Sequence, residues 1–144
     1  MFYVEENRNA VTAILLSLVT CGIYQLVILS RIAQDTNTIC QGDGEADVAS
    51  IGKLILLSLV TCGIYGLYWY YKVGERLKNN GPRYNVMINE SGIIYLLCAF
   101  IPYIGYFVIT ILLFKNLNAL SKAYNYCMNN QQQQGMNNNN KNMF

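Results

Sequence analysis

Three long stretches of the chain contain no charged residue, and polar segments separate them. The stretches run between Arg8 and Arg31, between Lys53 and Lys72, and between Glu90 and Lys115. Uncharged apolar stretches of about 18 residues or more are typical of helices embedded in a membrane. The pattern therefore predicts an all-α membrane protein with three hydrophobic helical segments, at about residues 11–30, 52–71 and 92–114.

The first two segments share an identical sequence. Ile14 to Tyr24 reads ILLSLVTCGIY, and Ile55 to Tyr65 reads the same eleven letters. This internal repeat defines unit one, residues 11–39, and unit two, residues 52–80; residues 91–125 form a divergent unit three. Together they make a helical membrane domain, 11–125, after a short N-terminal segment, 1–10. Each unit ends in an amphipathic extension, which we expect to lie along the lipid headgroups.

Two topologies fit these units. The favoured one has three transmembrane helices, each near the length that the hydrocarbon core requires. It divides the ten Lys and Arg residues five to five between the two sides, so the positive-inside rule gives almost no orientation. The alternative has three re-entrant helical hairpins, bent at Cys21–Gly22, at Cys62–Gly63 and at 102–105. All cations then lie on one face, but a bend in lipid must satisfy its own backbone groups.

The repeated motif predicts close helix packing. Small residues spaced four apart on one helical face let membrane helices approach each other, and Thr hydroxyls can bond nearby carbonyls. The residues given this role are Ser17, Thr20, Cys21, Gly22 and Gln25 in unit one, and Ser58, Thr61, Cys62, Gly63 and Gly66 in unit two.

Aromatic residues crowd the end of the second apolar stretch. Aromatic rings followed by a cation are typical of the membrane interface, where the long cationic side chain reaches the headgroups. The predicted interfacial anchors are Tyr65, Tyr68, Trp69, Tyr70, Tyr71 and Lys72.

Composition argues against several classes of function. Hydrophobic residues make up 53% of the chain and charged residues 12%, and there is no His, so imidazole catalysis and His metal ligation are excluded. The five cysteines show no zinc-site spacing, and alternating acids at Asp43, Glu45 and Asp47 lack the spacing of a calcium loop. A net charge of +2 is too small for a nucleic-acid footprint. We expect no enzyme activity, cofactor, metal site or nucleic-acid partner.

The C-terminal segment, 126–144, is rich in Asn and Gln. Such low-complexity polar sequence cannot bury a core, so the segment is predicted to be disordered.

The repeated LLSLVTCGIY, followed after its second copy by the YWYYKVGER stretch, resembles a bacterial integral-membrane family called domain of unknown function 4234. The SGIIYL stretch that starts at Ser91 and the D-x-N pattern at Asp35 and Asn37 fit it too. Unit one departs from the family pattern because Gln25 and the residues after it replace the usual aromatic cluster. The resemblance implies a multi-pass protein of the bacterial cell membrane, and it implies no activity.

Two functions remain open. The leading hypothesis is a small, non-enzymatic membrane scaffold or modulator that contacts the lipid bilayer and associates with itself or another membrane protein. The alternative is an oligomeric channel or transporter whose path is lined by Gln25, Thr20 and Thr61, although the apolar stretches hold no ionisable residue of the kind that ion coupling uses.

Overall fold

A computed structural model describes residues 3–101 and 104–141, and every regular element in them is helical. The α-helices are α1 (Ala10–Val19), α2 (Ile23–Ile39), α3 (Ile51–Val60), α4 (Ile64–Asn80), α5 (Gly92–Ala99) and α6 (Ile104–Lys141), with a short 3-10 helix at Gly81–Tyr84. The predicted all-α fold is confirmed.

Each apolar stretch is divided into two helices. A short arm (α1, α3 or α5) ends near the middle of the stretch. A longer stem (α2, α4 or α6) begins four or five residues later. Three continuous spans are therefore not confirmed. The breaks coincide with the positions that the hairpin alternative named, although Pro102 lies outside the described residues.

The three stems form a bundle in which each one contacts both of the others. Each arm packs on its own stem and on the stem of one neighbouring unit: α1 on α2 and α6, α3 on α4 and α2, and α5 on α6 and α4. Because α1 packs on the last stem, the three units close into a ring with approximate three-fold character.

The core of the bundle begins about one turn beyond the break in each stem. Leu77, Leu117 and Leu120, which give the amphipathic extensions their apolar side, are fully buried in it. The expectation that this apolar side lies along the headgroups is therefore wrong. The apolar sides of the extensions instead pack against each other, where each buried leucine contributes about 1.5–3 kcal/mol.

Asparagine side chains on the stems hold the extended segments that lead into the arms. Asn37 on α2 accepts from the Val48 amide at 2.7 Å and donates to the Val48 carbonyl at 3.0 Å. Asn118 on α6 pairs with both backbone groups of Arg8 in the same way, at 3.1 Å each. On α4 a carboxylate does this work, since Glu75 accepts from the Gly92 amide at 2.8 Å. Each stem thus anchors the next unit, and the last stem anchors the first.

Two glycines bring arms and stems into backbone contact. A methyl group at Gly92 would lie 2.2 Å from the Tyr71 carbonyl oxygen, and one at Gly105 would lie 1.7 Å from the Cys98 carbonyl oxygen. Neither backbone oxygen can move without displacing its helix. These positions therefore require glycine for close packing.

The C-terminal segment differs from its prediction. Helix α6 continues to Lys141, so 126–141 is helical rather than disordered, and 142–144 lie outside the described residues. Adding a residue to an existing helix costs far less than nucleating one, and no proline interrupts this stretch. The side chains at 131–136 are all exposed, so no tertiary contact is needed to keep the extension helical.

Gly92→Ala is expected to lower the free energy of unfolding by about 1–3 kcal/mol, because its methyl group overpacks the contact between α5 and α4. Thermal unfolding in detergent measures the loss. The matched control is Gly52→Ala, at a helical glycine with open space around its Cβ position. Equal melting temperatures for the two variants would contradict the close packing.

Candidate membrane-insertion site

The break in unit one is built from two consecutive left-handed residues. Cys21 has φ 51° and Gly22 has φ 88°. Only glycine adopts such a conformation without strain, which explains the glycine at the second position. The Gly22 amide bonds back to the Ser17 carbonyl at 2.7 Å, as in the Schellman motif that ends many helices.

The threonine of the motif joins the two helices across this break. The Thr20 hydroxyl donates to the Leu16 carbonyl at 2.7 Å and accepts from the Tyr24 amide at 3.0 Å. The hydroxyl therefore closes the last turn of α1 and caps the first turn of α2. Both of these bonds are made inside the bend, and they use the only donor of the hydroxyl.

Unit two repeats this geometry. Cys62 and Gly63 have φ 51° and 90°, and the Gly63 amide bonds to the Ser58 carbonyl at 2.7 Å. The Thr61 hydroxyl donates to the Leu57 carbonyl at 2.7 Å and accepts from the Tyr65 amide at 3.0 Å. The same local sequence thus produces the same bend twice.

All backbone N–H groups in the two bends have partners. Each donor at 20–25 and at 61–66 bonds to a carbonyl or to the threonine hydroxyl of its own bend. An unpaired amide in hydrocarbon costs several kcal/mol, and these bends leave none. Burying these turns in lipid would therefore carry no cost from unpaired backbone N–H groups.

The chain folds back sharply at both bends. The Ser17 hydroxyl lies 3.3 Å from Oε1 of Gln25, and a Cβ on Gly66 would lie 3.6 Å from the Ser58 hydroxyl. In a straight helix residues eight apart are separated by about 12 Å along the axis.

The predicted packing motif is therefore corrected. Its residues do not share one helical face, because the helix ends between them. Ser17 and Gln25 close one hairpin, Ser58 and Gly66 close the other, and Thr20 and Thr61 tie the bends. Cys21, Gly22, Cys62 and Gly63 form the exposed turns themselves.

The three bends lie near one another at one end of the bundle. One cleft brings Cys21 and Gly22 beside Tyr106, and a second brings Gly63 beside Ala99 and Tyr106. Around the bends the apolar side chains point outward. Strongly exposed ones are Val19 (81%), Leu59 (75%), Val60 (74%), Ile104 (69%), Ile23 (69%) and Phe100 (68%). We call this end the apolar tip.

Ion pairs lie toward the opposite end. Arg8, which precedes unit one, pairs with Asp35 of α2 and also donates to Asn118 and Ser121 of α6. Lys115 pairs with Glu90 at 2.8 Å where unit three begins. The fold thus separates an apolar tip from a charged base.

Arg76 organises the connector between units one and two. It is 1% exposed, and its Nε and Nη2 donate to Asp43 at 2.8 and 3.1 Å, while Nη1 donates to Asn37 at 2.8 Å. Asn80 adds a bond to Asp43 at 3.0 Å. Neither Arg76 nor its pairing with Asp43 was predicted from the sequence. The signal was available, since Arg76 ends the YWYYKVGER stretch that marks the family.

The aromatic anchors are divided by the fold. Trp69 is 1% exposed and donates from its indole nitrogen to the Ala49 carbonyl at 3.0 Å, so its predicted place at the interface is wrong. Its ring packs inside the protein, where its one donor finds a partner. Tyr68 is 51% exposed, and Tyr65, Tyr70, Tyr71 and Lys72 are partly exposed, so their anchoring role stays a prediction.

Among the described residues, one helix is long and apolar enough to cross a membrane, at Ile104–Met136, and half of its most apolar window is buried inside the protein. Ala10–Val19 and Ile51–Val60 are apolar but shorter. Ten residues of helix extend about 15 Å, which is half of the hydrocarbon core. In the same described part of the chain, no group of three or more Cys, Asp or Glu side chains could hold a metal ion.

Thr61→Val is expected to destabilise the protein by about 1–3 kcal/mol, because the change leaves the Tyr65 amide unpaired in the bend. Thr61→Ser keeps the hydroxyl and should behave almost as the parent protein does. Thermal unfolding of both variants in detergent measures the difference. Equal losses in the two variants would mean that the hydroxyl is not what holds the bend.

Acid is expected to weaken the connector. The hydrogen bonds from Arg76 hold the pKa of Asp43 well below its usual value of 3.8. A carboxylate with a lowered pKa contributes stability above its unfolded pKa, and that contribution is lost as pH falls toward the folded one.

Asp43→Asn should therefore lower stability at pH 7 by about 3 kcal/mol, because it removes the nearer carboxylate that pairs with a buried guanidinium and leaves only the exposed Asp47 at 3.5 Å. It should also flatten the loss of stability below about pH 4. Thermal melts between pH 7 and pH 2 measure both effects. Glu45→Gln, at an exposed carboxylate of the same connector, is the control. An unchanged acid dependence in the Asp43 variant would rule the connector out as its source.

Comparison with known proteins places this fold in a family. No curated protein and no solved structure matches the chain. The sequence model of one family matches twice, over residues 8–51 and 49–122, and so includes units one and two and most of unit three. The matches agree with the resemblance drawn from the repeated motif. The chain therefore belongs to the family described as Domain of unknown function (DUF4234).

Proposed function

We propose that this protein is a non-enzymatic membrane scaffold that inserts three helical hairpins into one leaflet of a bilayer. The observation that carries the proposal is the position of the bends. Three apolar turns come together at one end, and ion pairs lie toward the other. Such a molecule has one surface suited to hydrocarbon and one suited to water.

The length of the arms supports insertion into a single leaflet. Arms α1 and α3 each have ten residues, so each reaches about 15 Å, the depth of one leaflet. The exposed valines and leucines at the bends would contact acyl chains. Without lipid, this apolar surface would favour aggregation in water.

The polar groups of the bends support the same conclusion. A re-entrant turn is tolerated in a membrane only where its backbone is satisfied, and both threonine bends satisfy their N–H groups internally. The channel alternative required Thr20 and Thr61 to face a path. Their hydroxyls are occupied in the bends, so we favour the scaffold.

Self-association remains part of the proposal, with a changed surface. The small residues of the repeated motif are used inside each hairpin, so copies would meet through the outer faces of the arms. Exposed residues such as Val19 and Val60 lie on those faces. The expected partners are the bilayer, further copies of this chain or another membrane protein, and no nucleic acid.

Cysteine labelling in intact cells tests the insertion. Single cysteines replace Ala46, Met87 and Gln132, which are all exposed, in a background whose five native cysteines are changed to serine. We expect a membrane-impermeant maleimide to reach all three from the same side. Val19→Cys, at the apolar tip, should not react from either side because it lies in hydrocarbon. Labelling of Ala46→Cys and Met87→Cys from opposite sides would overturn the proposal and favour three crossings.

A further inference from the structure

A groove between units one and three changes from polar to apolar along its length. Toward the base, a cavity of about 230 Å³ is lined by Ala13, Ile28 and Phe114 together with Arg8 and Arg31. Toward the tip, a cleft of about 600 Å³ is lined by Ser17, Gln25, Phe107 and other residues. Both lie on the seam between α1, α2 and α6.

The two cavities follow each other along this seam. Ala13 and Ser17 are one turn apart on α1, and Phe107 and Phe114 are two turns apart on α6, a separation of about 10 Å. The two cavities share no lining residue, and as neighbours they extend from the charged base toward the bend at Cys21. The apolar cleft alone has a volume within the range of pockets that hold small ligands, about 300–1,000 Å³.

The polar end of the groove holds groups suited to a phosphate. Arg31 is bound only loosely, since its side chain is 61% exposed and lies 3.4 Å from Glu5, itself 46% exposed. Arg8 borders the same cavity with a side chain that is 4% exposed. Its Nη groups donate to Asn118, Ser121 and Asp35, and its Nε has no partner in the part of the chain that the structure describes.

We propose that this groove binds one phospholipid of the leaflet into which the hairpins insert. The phosphate diester would lie beside Arg31, and an acyl chain would follow the seam toward the bend. The order of polarity along the groove is the order along a phospholipid in that leaflet. Arginine is well suited to phosphate, because its planar guanidinium can donate two hydrogen bonds to neighbouring oxygens.

The inference rests on the proposed one-leaflet insertion, because that insertion sets the base at headgroup depth. Its charges also limit the headgroup. Glu5 and Asp35 balance Arg31 and Arg8, so the site is close to neutral and suits a zwitterionic headgroup. In the complex the phosphate would replace Glu5 as the ion-pair partner of Arg31. Glu5 could then pair with the ammonium group of the lipid.

Native mass spectrometry tests the groove with three probes added to delipidated protein in detergent. The probes are dioleoyl phosphatidylethanolamine, dioleoylglycerol, which lacks the phosphate, and glycerophosphoethanolamine, which lacks the chains. We expect one retained phospholipid, bound at least tenfold more tightly than either fragment. Equal binding of the phosphate fragment would indicate a free-anion site, and equal binding of dioleoylglycerol an unselective apolar cleft. Either result would overturn the proposal.

Two pairs of variants locate the lipid. Arg31→Gln should weaken binding about tenfold through loss of a charged hydrogen bond, whereas Lys53→Gln, at an exposed cation outside the groove, should not. Leu18→Trp should block the apolar half, because Leu18 lines the cleft and is 62% exposed. Leu59→Trp, at the matching position of unit two, should bind lipid normally. If both Arg31→Gln and Leu18→Trp bind the lipid as the parent protein does, the lipid lies elsewhere and the proposed groove is refuted.

The labelling experiment separates this inference from the proposed function. One-sided labelling with no selective lipid adduct would refute the groove and leave the insertion intact. Two-sided labelling would refute the insertion, whatever lipid the detergent-solubilised protein retained. Melting temperatures of the four variants in detergent identify any that fail to fold, and the remaining pair still decides the outcome.

Discussion

Backbone amides that turn inside hydrocarbon must find partners within the protein, and the rest of this structure depends on that constraint. The repeated motif meets it locally. Threonine closes one helix and caps the next, while the Cys–Gly pair takes the left-handed conformation that reverses the chain. Because both threonine bends satisfy their own N–H donors, they can lie exposed at one end of the bundle without a protein cover. The stems can then run side by side toward the polar base.

The separation between tip and base gives each part of a unit a different task. Apolar residues near the bends stay exposed, whereas those farther along the stems are buried against one another. Leu77 and Leu117 contact no solvent although they follow the first charges after the apolar stretches. Charged groups also bind the segments between the units, since Arg76 donates to Asp43 and so fixes the first connector. Burial in the stems thus stabilises the fold, and under the proposed function the exposed tip is the part that contacts lipid.

The sequence contained much of this organisation. Uncharged stretches identified the three apolar units, and the family was recognisable from the repeated motif. The choice between spans and hairpins was harder. Hydropathy is an average over the whole apolar stretch. A Schellman turn made of Thr, Cys, Gly and Ile is about as apolar as the helices beside it, so hydropathy does not reveal the turn. Trp69 was misplaced because an aromatic cluster before a cation has the same composition at a membrane interface and in a protein core. The roles of Arg76, Gly92 and Gly105 depend on partners far away in the sequence.

The closure of the ring sets an order for building the molecule. Val4 and Arg8 are held by Asn125 and Asn118, partners 121 and 110 residues later in the chain. The α1 arm therefore leaves the ribosome long before α6, one of the two stems on which it packs, has been synthesised. Unit two can pack on unit one as soon as it appears, and unit three on unit two, but the first arm waits until α6 has been made. Of the three arms, the first to be synthesised is thus the last to reach its final contacts.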